Sequence, residues 1–234
     1  MMNSFYTSAT SLIEMQKGFD VTSNNIANAN TTGYRSSDPT FADLMYSNIN
    51  AAENVNSELK SGHGTKLNKT NIQFAQGEFS ETNRDLDYAI SNPYGFFAVK
   101  KDGQVHYTRN GNFQLSLEQG KKFLTASDGA YVLDPKGNPI AVTNEKDNLD
   151  VGVYTFPNCG ALERVGDSSF AATAGSGAAA VMENPELKKG WTEGSNVDMA
   201  ETMVSMIELQ RAFQMNSKMV QISDEVTQAV NSLR

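Results

Sequence analysis

The sequence predicts an α+β chain, with N- and C-terminal helices forming a coiled-coil stem and a central antiparallel all-β domain between them. Three observations point there. Apolar residues recur at seven-residue spacing at both ends, the pattern of a helical seam. In the middle the period drops to two, with turn signals about every 8 to 12 residues. Finally, Asp102-Gly103, Asn110-Gly111 and Asp128-Gly129 are Asx-Gly pairs that supply the positive φ of tight hairpin turns.

At the N-terminal end Phe5, Leu12, Phe19 and Ile26 form the seam, with Met2 and Ala9 three positions before Phe5 and Leu12. Gln16 and Ser23 interrupt the companion positions, and the run Ser23-Asn24-Asn25 lowers intrinsic helicity. A helix over 4–31, about 42 Å long, is expected, ending where Gly33 can turn left-handed. At the other end Met199, Met206, Phe213 and Val220 are spaced by seven. The stripe then shifts to Met215, Ile222 and Ala229 and to Met219, Val226 and Leu233. Ser195 and Asp198 form an S-x-x-D capping signal, so this helix is expected to begin near Asn196 and to run for about 55 Å. Neither helix can bury its stripe on itself. Packing the first on the last, parallel or antiparallel, leaves apolar surface for neighbouring chains.

Between the helices, candidate strands are Ile72–Phe79, Leu86–Ser91, Gly95–Lys100, Gln104–Arg109, Asn112–Leu117, Lys121–Ala126, Ala130–Asp134, Ile140–Thr143 and Val151–Phe156. Pro135-Lys136-Gly137-Asn138 is a further turn signal. In the polar stretch before them Phe41, Leu44, Met45 and Ile49 have helical spacing and suggest a short helix, while 170–189 is Ala- and Gly-rich and reads as flexible. The expected layout is therefore 1–35, N-terminal helix of the coiled-coil domain; 36–70, linker; 71–160, β-domain; 161–192, linker; and 193–234, C-terminal helix of the coiled-coil domain.

Composition narrows the function. A net charge of −8 repels phosphate backbones, so nucleic acid is not an expected partner. No stretch approaches the roughly 20 apolar residues of a membrane span, and Met1–Tyr6 lacks the basic and apolar regions of a cleaved secretory signal. The single cysteine, Cys159, makes no intramolecular disulfide, so stability must come from packing and assembly. His63 and His106 are far apart and neither has a partner at metal-ligand spacing. The carboxylate pairs Asp85/Asp87 and Asp147/Asp150 fall at turns or strand ends, where solvated Asp is the default, and no nucleophile elbow, phosphate-binding loop or Cys-x-x-Cys site is present. The expectation is a protein that is not an enzyme, with no catalytic residues, cofactor, metal or small-molecule substrate.

Against this background, two terminal signatures and the middle carry a family resemblance. Thr22-Ser23-Asn24-Asn25-Ile26-Ala27-Asn28-Ala29-Asn30-Thr31-Thr32-Gly33-Tyr34-Arg35 resembles the N-terminal signature of the flagellar rod, hook and hook-associated axial proteins. Glu193-Gly194-Ser195-Asn196-Val197-Asp198-Met199, continuing through Gln210-Arg211-Ala212-Phe213 to Asn216-Ser217-Lys218, resembles their C-terminal signature. Leu86-Asp87-Tyr88-Ala89-Ile90, Gly95-Phe96-Phe97-Ala98-Val99 and Tyr107-Thr108-Arg109-Asn110-Gly111 are similar to the rod and hook β-domain. Phe41–Tyr46 and Ser61–Gly64 look most like the distal rod protein, while an abbreviated 139–149 leaves the proximal rod and hook proteins open.

The resemblance implies a structural subunit of the flagellar basal-body rod, self-associating and joining other rod and hook subunits through its terminal helices. It also implies export by the flagellar type III apparatus without a cleaved signal, to the extracytoplasmic basal body and with no membrane insertion. Other readings are a secreted oligomeric β-domain adhesin, which would need stricter heptads than Gln16, Ser23, Gln210 and Ser217 allow, and a soluble hydrolase, which has no nucleophile-base pair.

Overall fold

The computed structural model describes residues 2–48, 60–118, 120–142, 149–166 and 168–233. They form an α+β protein with one helix near each end and a central antiparallel sheet. The chain divides into two compact units.

The first unit comprises Met1–Ala27, Ser37–Asn71 and Asp198–Arg234. Its elements are helix α1 (Met2–Ala27), strands β1 (Ser37–Asp43), β2 (Ser47–Asn48), β3 (Lys60–Ser61) and β4 (Thr65–Ile72), and helix α2 (Met199–Ser232). Strand β1 pairs with β4, and β2 with β3. The helix suggested by Phe41, Leu44 and Met45 is therefore not formed: Phe41 lies on β1, and Ile49 is outside the described residues.

Helix α1 stops four residues before the expected Thr31, whose N–H turns back to Asn28 O at 3.1 Å. Within the helix's last turn, Asn25 Oδ1 accepts from Ser37 N at 3.0 Å and Nδ2 donates to Ser37 O at 2.8 Å, a side-chain imitation of strand pairing that fastens the start of β1 to the helix. Helix α2 starts at Met199 and not near Asn196. Its cap is Asp198, whose Oδ1 accepts from Ala200 N and Glu201 N at 2.8 and 3.1 Å.

The second unit comprises Asn28–Ser36 and Ile72–Val197. Its strands are β5 (Phe79–Glu81), β6 (Tyr88–Ile90), β7 (Gly95–Lys101), β8 (Gln104–Thr108), β9 (Gln114–Glu118), β10 (Lys121–Thr125), β11 (Tyr131–Val132), β12 (Val153–Thr155), β13 (Glu163–Gly166), β14 (Ser169–Ala171), β15 (Ala180–Val181), β16 (Leu187–Lys189) and β17 (Trp191–Glu193). The main sheet runs β13-β14-β8-β7-β11-β10-β9, with β12 joining β7 and β15 joining β12. Two further pairs, β16 with β6 and β17 with β5, are antiparallel.

Strand β7 is the axis of the core. Phe97 and Val99 belong to one apolar cluster and Phe96 and Ala98 to another, as alternation across a strand requires, so this strand is buried on both faces.

Two of the expected hairpins form, at Asp102-Gly103 between β7 and β8 and at Asp128-Gly129 between β10 and β11. Asn110-Gly111 does not make one, because β8 pairs with β7 and β14 while β9 pairs with β10. The third tight turn instead precedes Lys121, which stands opposite Glu118 with Gly120 at φ +79° between them. Residues 73–78, expected inside a strand, are irregular. Thr143 lies outside the described residues, and the preceding residues contribute only isolated bridges, Leu133 with Pro139 and Phe123 with Ala141. The stretch 161–192, read from composition as a linker, holds β13 to β16 and most of β17, and its Phe170 sits opposite Tyr107 in the sheet.

Candidate assembly faces and a buried clasp

Within the first unit the two helices are antiparallel. Asn216 Nδ2 lies 3.5 Å from Met15 Sδ and the rings of Phe19 and Phe213 meet edge-on at 6.3 Å, so position falls along one helix as it rises along the other. Of the expected seam residues, Leu12, Phe19, Ile26, Met206, Phe213 and Val220 are half-buried. Phe5, Met199, Met219, Val226 and Leu233 are exposed. No residue of α2 is fully buried.

The best-buried face of α1 is one that periodicity of apolar residues missed. Ser8, Ser11, Gly18, Thr22 and Asn25 are all buried, at the alternating three- and four-residue spacing of a helix face completed by half-buried Met15. The face is small because other elements approach closely. A Cβ on Gly18 would stand 2.8 Å from the Phe41 ring and 3.5 Å from Leu209. Ser11 Oγ accepts from Thr65 Oγ1 at 3.5 Å, and beside this face the Glu14 carboxylate accepts from Leu67 N at 2.8 Å and from Lys17 at 2.7 Å. These two hydrogen bonds hold Glu14 below the usual carboxylate range. The signal available was the spacing of small hydroxyl residues.

Residues of the two terminal signatures also meet inside the second unit. Gly33, at φ +69°, donates its N–H to Glu193 O at 2.8 Å, and its missing Cβ leaves room for the Arg109-Asn110 backbone, where a Cβ would fall 2.4 Å from Asn110 N. Thr32 Oγ1 donates to Asn110 Oδ1 at 3.0 Å. Asn196 accepts from Ser36 N at 2.6 Å through Oδ1, donates through Nδ2 to Gln73 O and Ala75 O, and donates its backbone N–H to Tyr34 O. The Ser195 hydroxyl accepts from Val197 N at 3.3 Å.

At the centre lies an ion cluster. Arg35 Nη2 donates to Glu193 Oε1 at 2.6 Å, and Arg109 donates to Oε2 through Nε at 2.9 Å and Nη2 at 2.5 Å, with all three side chains at most 1% exposed. Gly77 N donates to Oε1 at 3.0 Å. Arg109 Nη1 also donates to Asn92 O and Gly95 O, both at 2.6 Å. Burial draws the Arg109 guanidinium below its ordinary pKa, while Glu193 opposes that shift and Arg35 adds to it. Arg164 stacks over the Tyr34 ring, donates to its hydroxyl at 3.1 Å and donates to Arg35 O.

The remaining signature residues divide by place. Ser23, Asn24 and Ala27 on α1 and Gln210 and Arg211 on α2 are exposed, whereas Asn28, Ala212 and Ser217 are half-buried. Asn216 Nδ2 donates back to Ala212 O at 3.0 Å.

Asp87 departs from the expectation of a solvated carboxylate. It is fully buried, 3.5 Å from Arg84 Nη1, while Asp85 Oδ1 lies 3.8 Å from Lys189 Nζ. Asp147 is outside the described residues. Cys159 is buried beside Phe156 O, and burial pushes its thiol up. His63 Nε2 lies 3.0 Å from Ser47 Oγ. Among the described residues no group of three His, Cys, Asp or Glu side chains is placed to hold a metal ion, and no helix is long and apolar enough to cross a membrane.

Three families match the chain in order. Residues 5–35 match the family described as flagella basal body rod protein, 90–154 the flagellar hook protein FlgE/F/G D1 domain, and 188–233 the flagellar basal body rod FlgEFG protein C-terminal. The flagellar basal-body rod protein FlgG of Buchnera aphidicola subsp. Schizaphis graminum is 32% identical, with all of both chains covered. That of Borreliella burgdorferi is 33% identical over all of this chain and 99% of its own. The flagellar hook-basal body complex protein FlhP of Bacillus subtilis is 28% identical over the whole of both. With one unit that pairs the two terminal helices, another built on an antiparallel sheet, and full-length similarity to proteins of this kind, the chain belongs to the flagellar basal-body rod and hook family of structural proteins and resembles the distal rod protein FlgG.

Proposed function

We propose that this chain is a structural subunit of the bacterial flagellar basal-body rod, of the distal-rod kind, and that it polymerises through its terminal helices as a coiled-coil stem. Its partners are further copies of itself and other rod and hook subunits. The observation that carries this is on α2. Met215, Met219, Ile222, Val226, Val230 and Leu233 follow one another at helical spacing and all are exposed, Met215 by 70% and Leu233 by 88%. Met215 is two residues from Phe213, so it lies about 200° around the helix from the contact with α1. A row of this length on a soluble chain asks for a partner. Export by the flagellar type III apparatus without a cleaved signal is the route we propose to the basal body; family membership and a chain with one cysteine support it.

The test places Lys at both Met219 and Val226 in the full chain, supplied as sole copy. The isolated protein should keep its circular dichroism while intact rods and swimming are lost. Lys at Val105, exposed on the sheet unit, is the control and should swim. Normal rods carrying the double substitution would overturn the reading.

A further inference from the structure

The ion cluster joins two chain segments that are remote in sequence. Residues 33–36 follow α1 along the chain and 193–196 precede α2, and both are fastened within the second unit. Arg109 is already oriented by three backbone carbonyls, those of Ile90, Asn92 and Gly95, so it stands as a fixed carboxylate receptor. Arg35 has no such carbonyl cradle among its described bonds, and its reach into this interior ends on Glu193. Take Glu193 away and two buried guanidiniums converge on one place with no anion between them, which disfavours seating Arg35. Conversely, without Arg35 and the 33–36 backbone, Glu193 O loses Gly33 N–H and Asn196 loses Ser36 N–H and Tyr34 O.

We propose that Glu193 is the bolt of a two-sided latch, so that segments 33–36 and 193–196 are fastened together or not at all. The N-terminal connector is then held only when the C-terminal connector is present, and an incomplete chain leaves both ends of the sheet unit unfastened. The latch is a conformational device of the single chain and does not depend on assembly.

Amide hydrogen exchange on the full-length chain tests it, read at groups that do not touch the substituted side chain. Glu193→Gln should speed exchange at Ser36 N–H and at Gln73 N–H, which donates to Ser36 O. Arg35→Met should speed exchange at Gly194 N–H, which donates to Glu78 O on the β5 side. Each is expected to rise at least tenfold while Val99 and Leu124 in the sheet core keep their protection. Loosening confined to the substituted segment in either variant overturns the latch. If either substitution also releases Val99 and Leu124, Arg35→Lys decides, because it keeps the charge and loses the planar fork. Faster exchange at both Ser36 and Gly194 supports the proposal, and any other pattern overturns it.

Discussion

Arg109 places two N–H groups on a single oxygen of Glu193, Nε at 2.9 Å and Nη2 at 2.5 Å, and leaves the other oxygen to Arg35 and Gly77 N. All four acceptor directions of one buried carboxylate are thereby taken. Replacing Arg109 by Met leaves Glu193 with a single arginine and frees the carbonyls of Asn92 and Gly95. The expected loss is about 3–5 kcal/mol in the stability of the sheet unit, measured by urea unfolding followed at its aromatic residues. A change under about 1 kcal/mol would show that water replaces the guanidinium at little cost.

Gly111→Ala should be more disruptive than its size suggests. A Cβ there would lie 1.6 Å from Tyr88 O, and Gly111 O accepts from Tyr88 N at 3.0 Å. Overpacking of this kind costs about 1–3 kcal/mol or more, because backbone and not a side-chain tip must yield. The expected result is a lowered melting temperature of the sheet with α2 helicity unchanged.

Phe213→Ala removes the ring that meets Phe19. A fully buried Phe is worth about 3–5 kcal/mol, but this one is half-buried, so the isolated chain should lose less than that. The loss should show in the melting of helical circular dichroism and in rod yield. A fall in the sheet unit's melting temperature with rods unaffected would mean that α2 serves the sheet and not the assembly.

Glu14 supplies a pH dependence. Its folded pKa is depressed by hydrogen bonds from Lys17 and from Leu67 N, so its contribution is fully present above the ordinary carboxylate value. That contribution is lost as pH falls through the depressed folded value. Compared with Glu14→Gln, the native helix unit should be the more stable at pH 7, and the two should converge on acidification. A gap that persists unchanged in strong acid would contradict the assignment.

Cys159 should be slow to react. Its thiol is buried and its pKa raised by that burial, so a thiol reagent at pH 8 should label the folded chain far more slowly than the urea-unfolded one. Equal rates would show that the 159–161 turn opens readily.

The parts legible in sequence were those written locally. Seven-residue spacing located both helices, and the Asp-Gly pairs located two hairpins, because each depends on residues a few positions apart. Strands β13 to β17 escaped because each has four residues or fewer and owes its form to distant partners, such as Tyr107 for Phe170. Phe41 and Leu44 stand three apart, a helical separation, yet a strand forms at Phe41 because β4 pairs with β1, and Phe41 packs against Gly18. Glu193 was legible as a signature residue, but its partner Arg35 is 158 positions away, and no local pattern announces that pairing. Arg109 did carry a hint. It directly follows β8, whose last two residues Tyr107 and Thr108 are both buried, so the chain leaves the strand inside the unit.

The buried row Ser8, Ser11, Gly18, Thr22 and Asn25 has a consequence for handling. A helix whose best-covered side bears hydroxyls, an amide and a bare Cα has little grease to offer a stranger, so misplaced contacts on that side gain little free energy. What it offers is fit, rewarded only when β1 and β4 arrive with Phe41, Thr65 and Leu67 in register. On that side the N-terminal helix is quiet toward the wrong neighbour and selective toward the right one.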